Sequence, residues 1–96
     1  AVSNLQPVKN DNALYVASAS RGVLIFDISD PANPVFEKAV PGSNIDVHTV
    51  FVEGDRLYAM SPSPNSETLI FDITNPLVPV LLTRFTAPGG DTGVWV

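Results

Sequence analysis

The sequence predicts an all-β chain built from two copies of one four-stranded unit. An internal repeat, short β-prone runs stopped by turn residues, and the lack of any helical period carry that prediction. Residues 21–35 read RGVLIFDISDPANPV, and residues 66–80 read SETLIFDITNPLVPV. At an offset of 45, eight of these fifteen positions are identical, among them Leu24/Leu69, Ile25/Ile70, Phe26/Phe71, Asp27/Asp72 and Pro31/Pro76. Upstream, Leu14-Tyr15 recurs as Leu57-Tyr58 at an offset of 43. The two extra residues of the second copy fall in Ser61-Pro62-Ser63-Pro64-Asn65, where a loop accepts an insertion. Nine prolines are spread along the 96 residues, and no window holds a 3.6-residue apolar period, so helices are not expected.

Each strand follows from its flanks. Residues 13–18 and 56–61 are β-prone and come after the polar turns Lys9-Asn10-Asp11-Asn12 and Glu53-Gly54-Asp55. Residues 23–28 and 68–73 are apolar at nearly every position rather than at alternate ones, which predicts a strand covered on both faces. Asp-Ile-Ser-Asp-Pro and Asp-Ile-Thr-Asn-Pro then end these strands. Their short polar side chains bond nearby backbone, and proline blocks further pairing. A third strand is expected at 35–40 and 78–86, and a fourth at 47–52, with a weaker first version at 5–9. Residues 92–96 read as that same strand opening another unit. The boundaries become 1–46 for the first unit, 47–91 for the second, and 92–96 for the start of a third.

Composition narrows the function. Apolar residues make up 45% and charged residues 16%, which fits a packed core rather than disorder. Ten acidic and five basic residues leave a net charge of −5. Five scattered cations make no basic surface for phosphates, so nucleic acid is not an expected partner. No apolar run approaches the roughly 18–20 residues of a membrane span. Without cysteine, disulfides, thiol catalysis and cysteine metal sites are excluded.

Four short strands at a period of about 40–45 residues are the mark of a β-propeller blade, a four-stranded antiparallel repeat. A strand apolar on both faces suits a blade, because each blade is sandwiched between two neighbours. A two-sheet β-sandwich also accepts strands at this spacing, but gives no reason for a near-copy at offset 45. Leu24-Ile25-Phe26-Asp27-Ile28-Ser29-Asp30-Pro31 and Leu69-Ile70-Phe71-Asp72-Ile73-Thr74-Asn75-Pro76 resemble the core motif of the LVIVD-repeat propellers. The resemblance extends through Ala32-Asn33-Pro34-Val35 and Leu77-Val78-Pro79-Val80. Leu14-Tyr15-Val16-Ala17 and Leu57-Tyr58-Ala59-Met60 stand where that family has a tyrosine-bearing strand. Phenylalanine before Asp27 and Asp72, Met60, and the Ser/Pro insertion depart from the family pattern. The resemblance implies a repeat scaffold, mostly of secreted or surface proteins, and no shared reaction.

Propellers close with about four to eight blades, so two blades and one strand make a partial ring unless other blades complete it. The expected partners are therefore other propeller blades, from the rest of a longer chain or from identical copies. In a ring of copies, residues 92–96 would pair into the next copy's first blade, with Trp95 as a possible interface anchor.

Chemistry is sparse. His48 is the only histidine, and a protein zinc site needs roughly three or four clustered donors. A strand-end histidine is the plainer reading. No Gly-x-Ser-x-Gly elbow supports a serine triad, and Gly89-Gly90-Asp91-Thr92-Gly93 lacks the lysine and the strand–turn–helix setting of a phosphate loop. Asp27, Asp30, Asp72 and Asn75 recur at the strand-ending turns and are expected to cap them rather than to bind calcium. Asp46 and Asp91 recur after glycine-containing stretches. With His48 and Asn65 they could rim one face of the blades, where a cation or a basic partner fits, but plain solvated turns are the favoured reading. Tyr15 and Tyr58 are expected to pack between blades. The sequence thus reads as a non-catalytic interaction or assembly scaffold, secreted or on a cell surface, with no cofactor, metal or catalytic residue. The alternative is part of a propeller enzyme or ligand-binding protein whose active residues lie mostly on blades outside this chain.

Overall fold

The computed structural model describes residues 8–42, 45–62 and 66–86. These form eight strands: β1 (Val8–Asn10), β2 (Ala13–Ser18), β3 (Gly22–Asp27), β4 (Val35–Pro41), β5 (Thr49–Glu53), β6 (Arg56–Met60), β7 (Glu67–Asp72) and β8 (Val80–Thr86). They pair antiparallel into two four-stranded sheets, in the orders β1-β2-β3-β4 and β5-β6-β7-β8. Residues 92–96 lie outside the described residues.

The strands begin and end where the turn chemistry directs, with small displacements. The last strand starts at Val80 rather than 78, because the Val78 N–H is drawn back to the Asn75 carbonyl at 3.0 Å. β5 starts at Thr49 rather than 47, because the Val47 N–H donates to the Ser18 carbonyl of the first sheet at 2.9 Å. Of the strand expected at 5–9, the structure describes only its end, within Val8–Asn10. Gly22 opens β3 at φ +93°, and a Cβ there would meet the Val40 carbonyl oxygen at 2.3 Å. Only glycine fits that close approach. The two sheets share an irregularity as well. A bulge interrupts the pairing of β3 with β4 between Ile25 and Phe26, and of β7 with β8 between Ile70 and Phe71.

Register assigns the faces. On one face of the first sheet, Tyr15 lies opposite Ile25 and Ala17 opposite Val23; on the other, Leu14 lies opposite Phe26 and Val16 opposite Leu24. In the second sheet Leu57 and Phe71 share a face with Ala59 and Leu69, and Tyr58 and Ile70 share the reverse. The core is one cluster in which Ala13, Tyr15, Val23 and Ile25 meet Leu57, Ala59, Leu69 and Phe71. The sheets therefore stack in one direction, the tyrosine face of the first on the leucine face of the second. Each large apolar side chain removed from water this way contributes roughly 1.5–3 kcal/mol.

The expectation that β3 and β7 are covered on both faces needs correction. Leu24 and Phe26 on β3, and Ile70 on β7, remain half-buried. The reason is geometric, since each sheet has a single neighbouring sheet among the described residues. The outer strands carry exposed apolar side chains as well, including Phe36, Val80, Leu81, Leu82 and Phe85.

Candidate functional site

Polar residues gather at both ends of the sheets. At one end the β2–β3 loop and the link between the sheets run together. The Gly42 N–H donates to the Arg21 carbonyl at 3.1 Å, and Ile45 N–H to the Ser20 carbonyl at 3.3 Å. Ile45 also forms a parallel bridge with Arg21. Ile45 and Val47 are buried and pin the link, so the alternating residues Asp46 and His48 stay at the surface. His48 Nε2 lies 3.3 Å from Asp46 Oδ1, with side-chain exposures of 45% and 42%. That carboxylate oxygen is itself shielded from solvent and makes no hydrogen bond among the described residues. The His48 backbone N–H donates to the Met60 carbonyl at 3.0 Å, which ties the end of the link to the second sheet. Asn65 and Asp91, the other two expected rim residues, lie outside the described residues, as does Trp95. Among the described residues the rim supplies one acid and one histidine. Among the described residues no group of three acidic or histidine side chains converges as a metal site would need.

At the opposite end are the turns that stop β3 and β7. Asp27 Oδ1 accepts from the Ser29 N–H at 2.8 Å and the Ser29 hydroxyl at 2.6 Å. Asp72 Oδ1 accepts from the Thr74 N–H and hydroxyl at the same two distances. The Ser29 hydroxyl, then its N–H, holds the Asp27 carboxyl below the usual range. Thr74 does so for Asp72, with Arg56 adding a smaller pull. Asp30 accepts from the Asn33 side-chain amide at 3.0 Å and the Ala32 N–H at 3.1 Å, and its carboxyl is lowered by these bonds. Asn75 accepts from the Leu77 N–H at 3.3 Å. These oxygens are thus engaged by their own turns, each within a few residues of its origin.

Between the two turn ends lies an open cleft lined by Asp11, Asn12, Ser29, Asn75, Pro76 and Leu77. Beside it the Tyr15 hydroxyl crosses from the first sheet to donate to the Pro76 carbonyl of the second at 2.7 Å. Tyr15 is fully buried. Tyr58, its counterpart, instead stacks on Phe51 on the outward face, with ring centroids 4.7 Å apart and planes 10° apart. The recurrence of Leu-Tyr was the only signal in the sequence for this cross-sheet bond. Nothing local marks Pro76 as its acceptor, because the two residues are 61 apart.

The family model for the LVIVD repeat matches residues 10–40. Over this stretch the chain is similar to an LVIVD repeat. LVIVD repeats are propeller blades, and the matched stretch spans β2, β3 and most of β4 of the first sheet. The second sheet repeats its strand order, its capped turns and its bulge. No curated protein and no solved structure gives a significant match to the chain. Among the described residues no helix is long and apolar enough to cross a membrane.

Proposed function

We propose that this LVIVD segment is a non-catalytic scaffold for protein assembly, its blade faces taking up further blades. The observation that supports the reading is the state of those faces. Leu14, Val16, Leu24 and Phe26 on one side, and Phe51, Tyr58 and Ile70 on the other, are apolar and only half-buried. Contiguous apolar surface of this kind marks an interaction site on a soluble domain. The partners are other propeller blades, from a longer chain or from identical copies. An acidic, lysine-poor and cysteine-free composition is compatible with a setting outside the cell, and we assign it there. A role within a ligand-binding or catalytic propeller is the second reading, favoured by the shielded Asp46 oxygen beside His48.

Size-exclusion chromatography with light scattering on the chain tests the scaffold. A discrete, concentration-dependent oligomer is the expected result. A cooperative monomer that persists at high concentration with both faces in water overturns it.

A further inference from the structure

Among the described residues, the two faces left open are the two kinds of face that mate inside the chain. Tyr58 and Ile70 repeat the buried Tyr15 and Ile25, while Leu14, Leu24 and Phe26 repeat the buried Leu57, Leu69 and Phe71. The two described sheets therefore offer, on their outward faces, the two halves of the interface between them. We infer that a second copy of this chain docks head to tail, the leucine face of its first sheet on the Tyr58 face, and that the Tyr58 hydroxyl then donates to the Pro31 carbonyl of that copy. The inference rests on the assembly reading above and specifies its geometry.

The internal contact supplies the template. Tyr15 reaches the Pro76 carbonyl at 2.7 Å; Tyr58 repeats Tyr15, and Pro31 repeats Pro76. The turns that present the two prolines are built alike. The Asp30 carbonyl accepts from the Asn33 N–H at 2.9 Å and the Asn75 carbonyl from the Val78 N–H at 3.0 Å, and both turns follow an aspartate bonded to Ser29 or Thr74. The first turn thus offers its carbonyl as the second does. Pro31 is exposed, and none of the described residues accepts a hydrogen bond from the Tyr58 hydroxyl. Stacking on Phe51 already holds the Tyr58 ring, which lowers the ordering cost of docking.

The footprint is bounded. On the same face of the second sheet, Met60 and Thr68 are buried at the end near the β6–β7 loop. Docking is left to the half of the face that holds Tyr58 and Ile70, the half nearest the turns. Such an interface is heterologous, so each copy keeps one free face of each kind until a ring closes.

Complementation tests it. Ile70→Glu blocks the tyrosine face and Leu24→Glu blocks the leucine face, each leaving the other intact. Each variant alone is expected to sediment as a monomer, and an equimolar mixture as a 1:1 dimer that grows no further. Tyr58→Phe, a milder change, is expected to weaken wild-type association by roughly tenfold and leave the unfolding midpoint of the dilute chain unchanged. If the wild type associates but the mixture stays monomeric, or Tyr58→Phe associates like wild type, this geometry is wrong while the scaffold reading stands. A wild-type chain that never associates overturns both.

Discussion

The two sheets are copies of one unit, yet their equivalent side chains live in opposite surroundings. Tyr15 and Ile25 are fully buried, while Tyr58 and Ile70 are half-exposed; Leu57, Leu69 and Phe71 are buried, while Leu14, Leu24 and Phe26 are not. Residue type is constant across each pair, so neighbourhood alone sets burial. In a stacked repeat, stability is approximately the sum of each unit's own contribution and that of the interface between neighbours. The turns behave differently. Asp27 and Asp72 hold the same bonds at the same lengths, because those contacts are local to each copy.

The largest effect that tests this contrast is a pair of truncations. Phe71→Ala opens a cavity in the shared core and is expected to cost about 3–5 kcal/mol in urea unfolding. Phe26→Ala, at the equivalent but open position beside Phe36, is expected to cost about 1 kcal/mol in dilute solution. Equal losses would break the claim that the neighbour sets burial. Next in size is the tyrosine pair. Tyr15→Phe strips a hydrogen bond from the partly buried Pro76 carbonyl and is expected to cost about 1–2 kcal/mol, whereas Tyr58→Phe leaves the dilute chain's stability unaltered.

Acid separates local from interfacial support. Asp27, Asp30 and Asp72 all titrate below their ordinary value of 3.8 in the folded chain. Their contribution is therefore complete above that value and is lost as pH falls through the lowered ones. Thermal melts should show a midpoint that declines through that acidic window, with Glu67 adding its own loss below its ordinary value of 4.5. Asp27→Ala and Asp72→Ala should flatten the decline to a similar degree, since the two turns are alike. A strong bias toward one would show that the turns feel the interface after all.

The smallest expected effect comes from a contact with no counterpart in the first sheet. Arg84 donates from Nε to Glu67 Oε2 at 2.6 Å and from Nη2 to Oε1 at 2.9 Å; Ala39 and Gly22 stand at the equivalent positions. The Arg84 guanidinium holds the Glu67 carboxyl below its usual range. Both groups are partly exposed, so Arg84→Met is expected to cost roughly 0.2–1 kcal/mol, less at high salt.

How far the sequence could be read follows from the same contrast. Strand runs, stopping turns and the capping aspartates were legible, because each depends on residues within a few positions. Offset identity at Leu24/Leu69 and Asp27/Asp72 also made the unit legible. The apolar run of β3 announced two coverable faces but carried no information on which face has a neighbour. The Tyr15 bond to Pro76 and the Glu67–Arg84 pair join residues 61 and 17 apart, beyond the reach of local pattern. Of the expected rim, Asp46 and His48 are adjacent in space, an outcome of the i, i+2 alternation that buries Ile45 and Val47 and leaves the residue after each at the surface.

The paired bulges on the outer strands bear on how such a chain stays out of trouble. Among the described residues β4 and β8 are edge strands, studded with Phe36, Val80, Leu81 and Leu82, the makings of a template for fibrillar growth. An irregularity between Ile25 and Phe26, and again between Ile70 and Phe71, twists each edge away from the flatness that lateral stacking of strands requires. Pro34 and Pro79, just ahead of these strands, remove an amide donor each. Runaway aggregation along the rims is thereby discouraged, and orderly contact is steered to the broad sides of the blades.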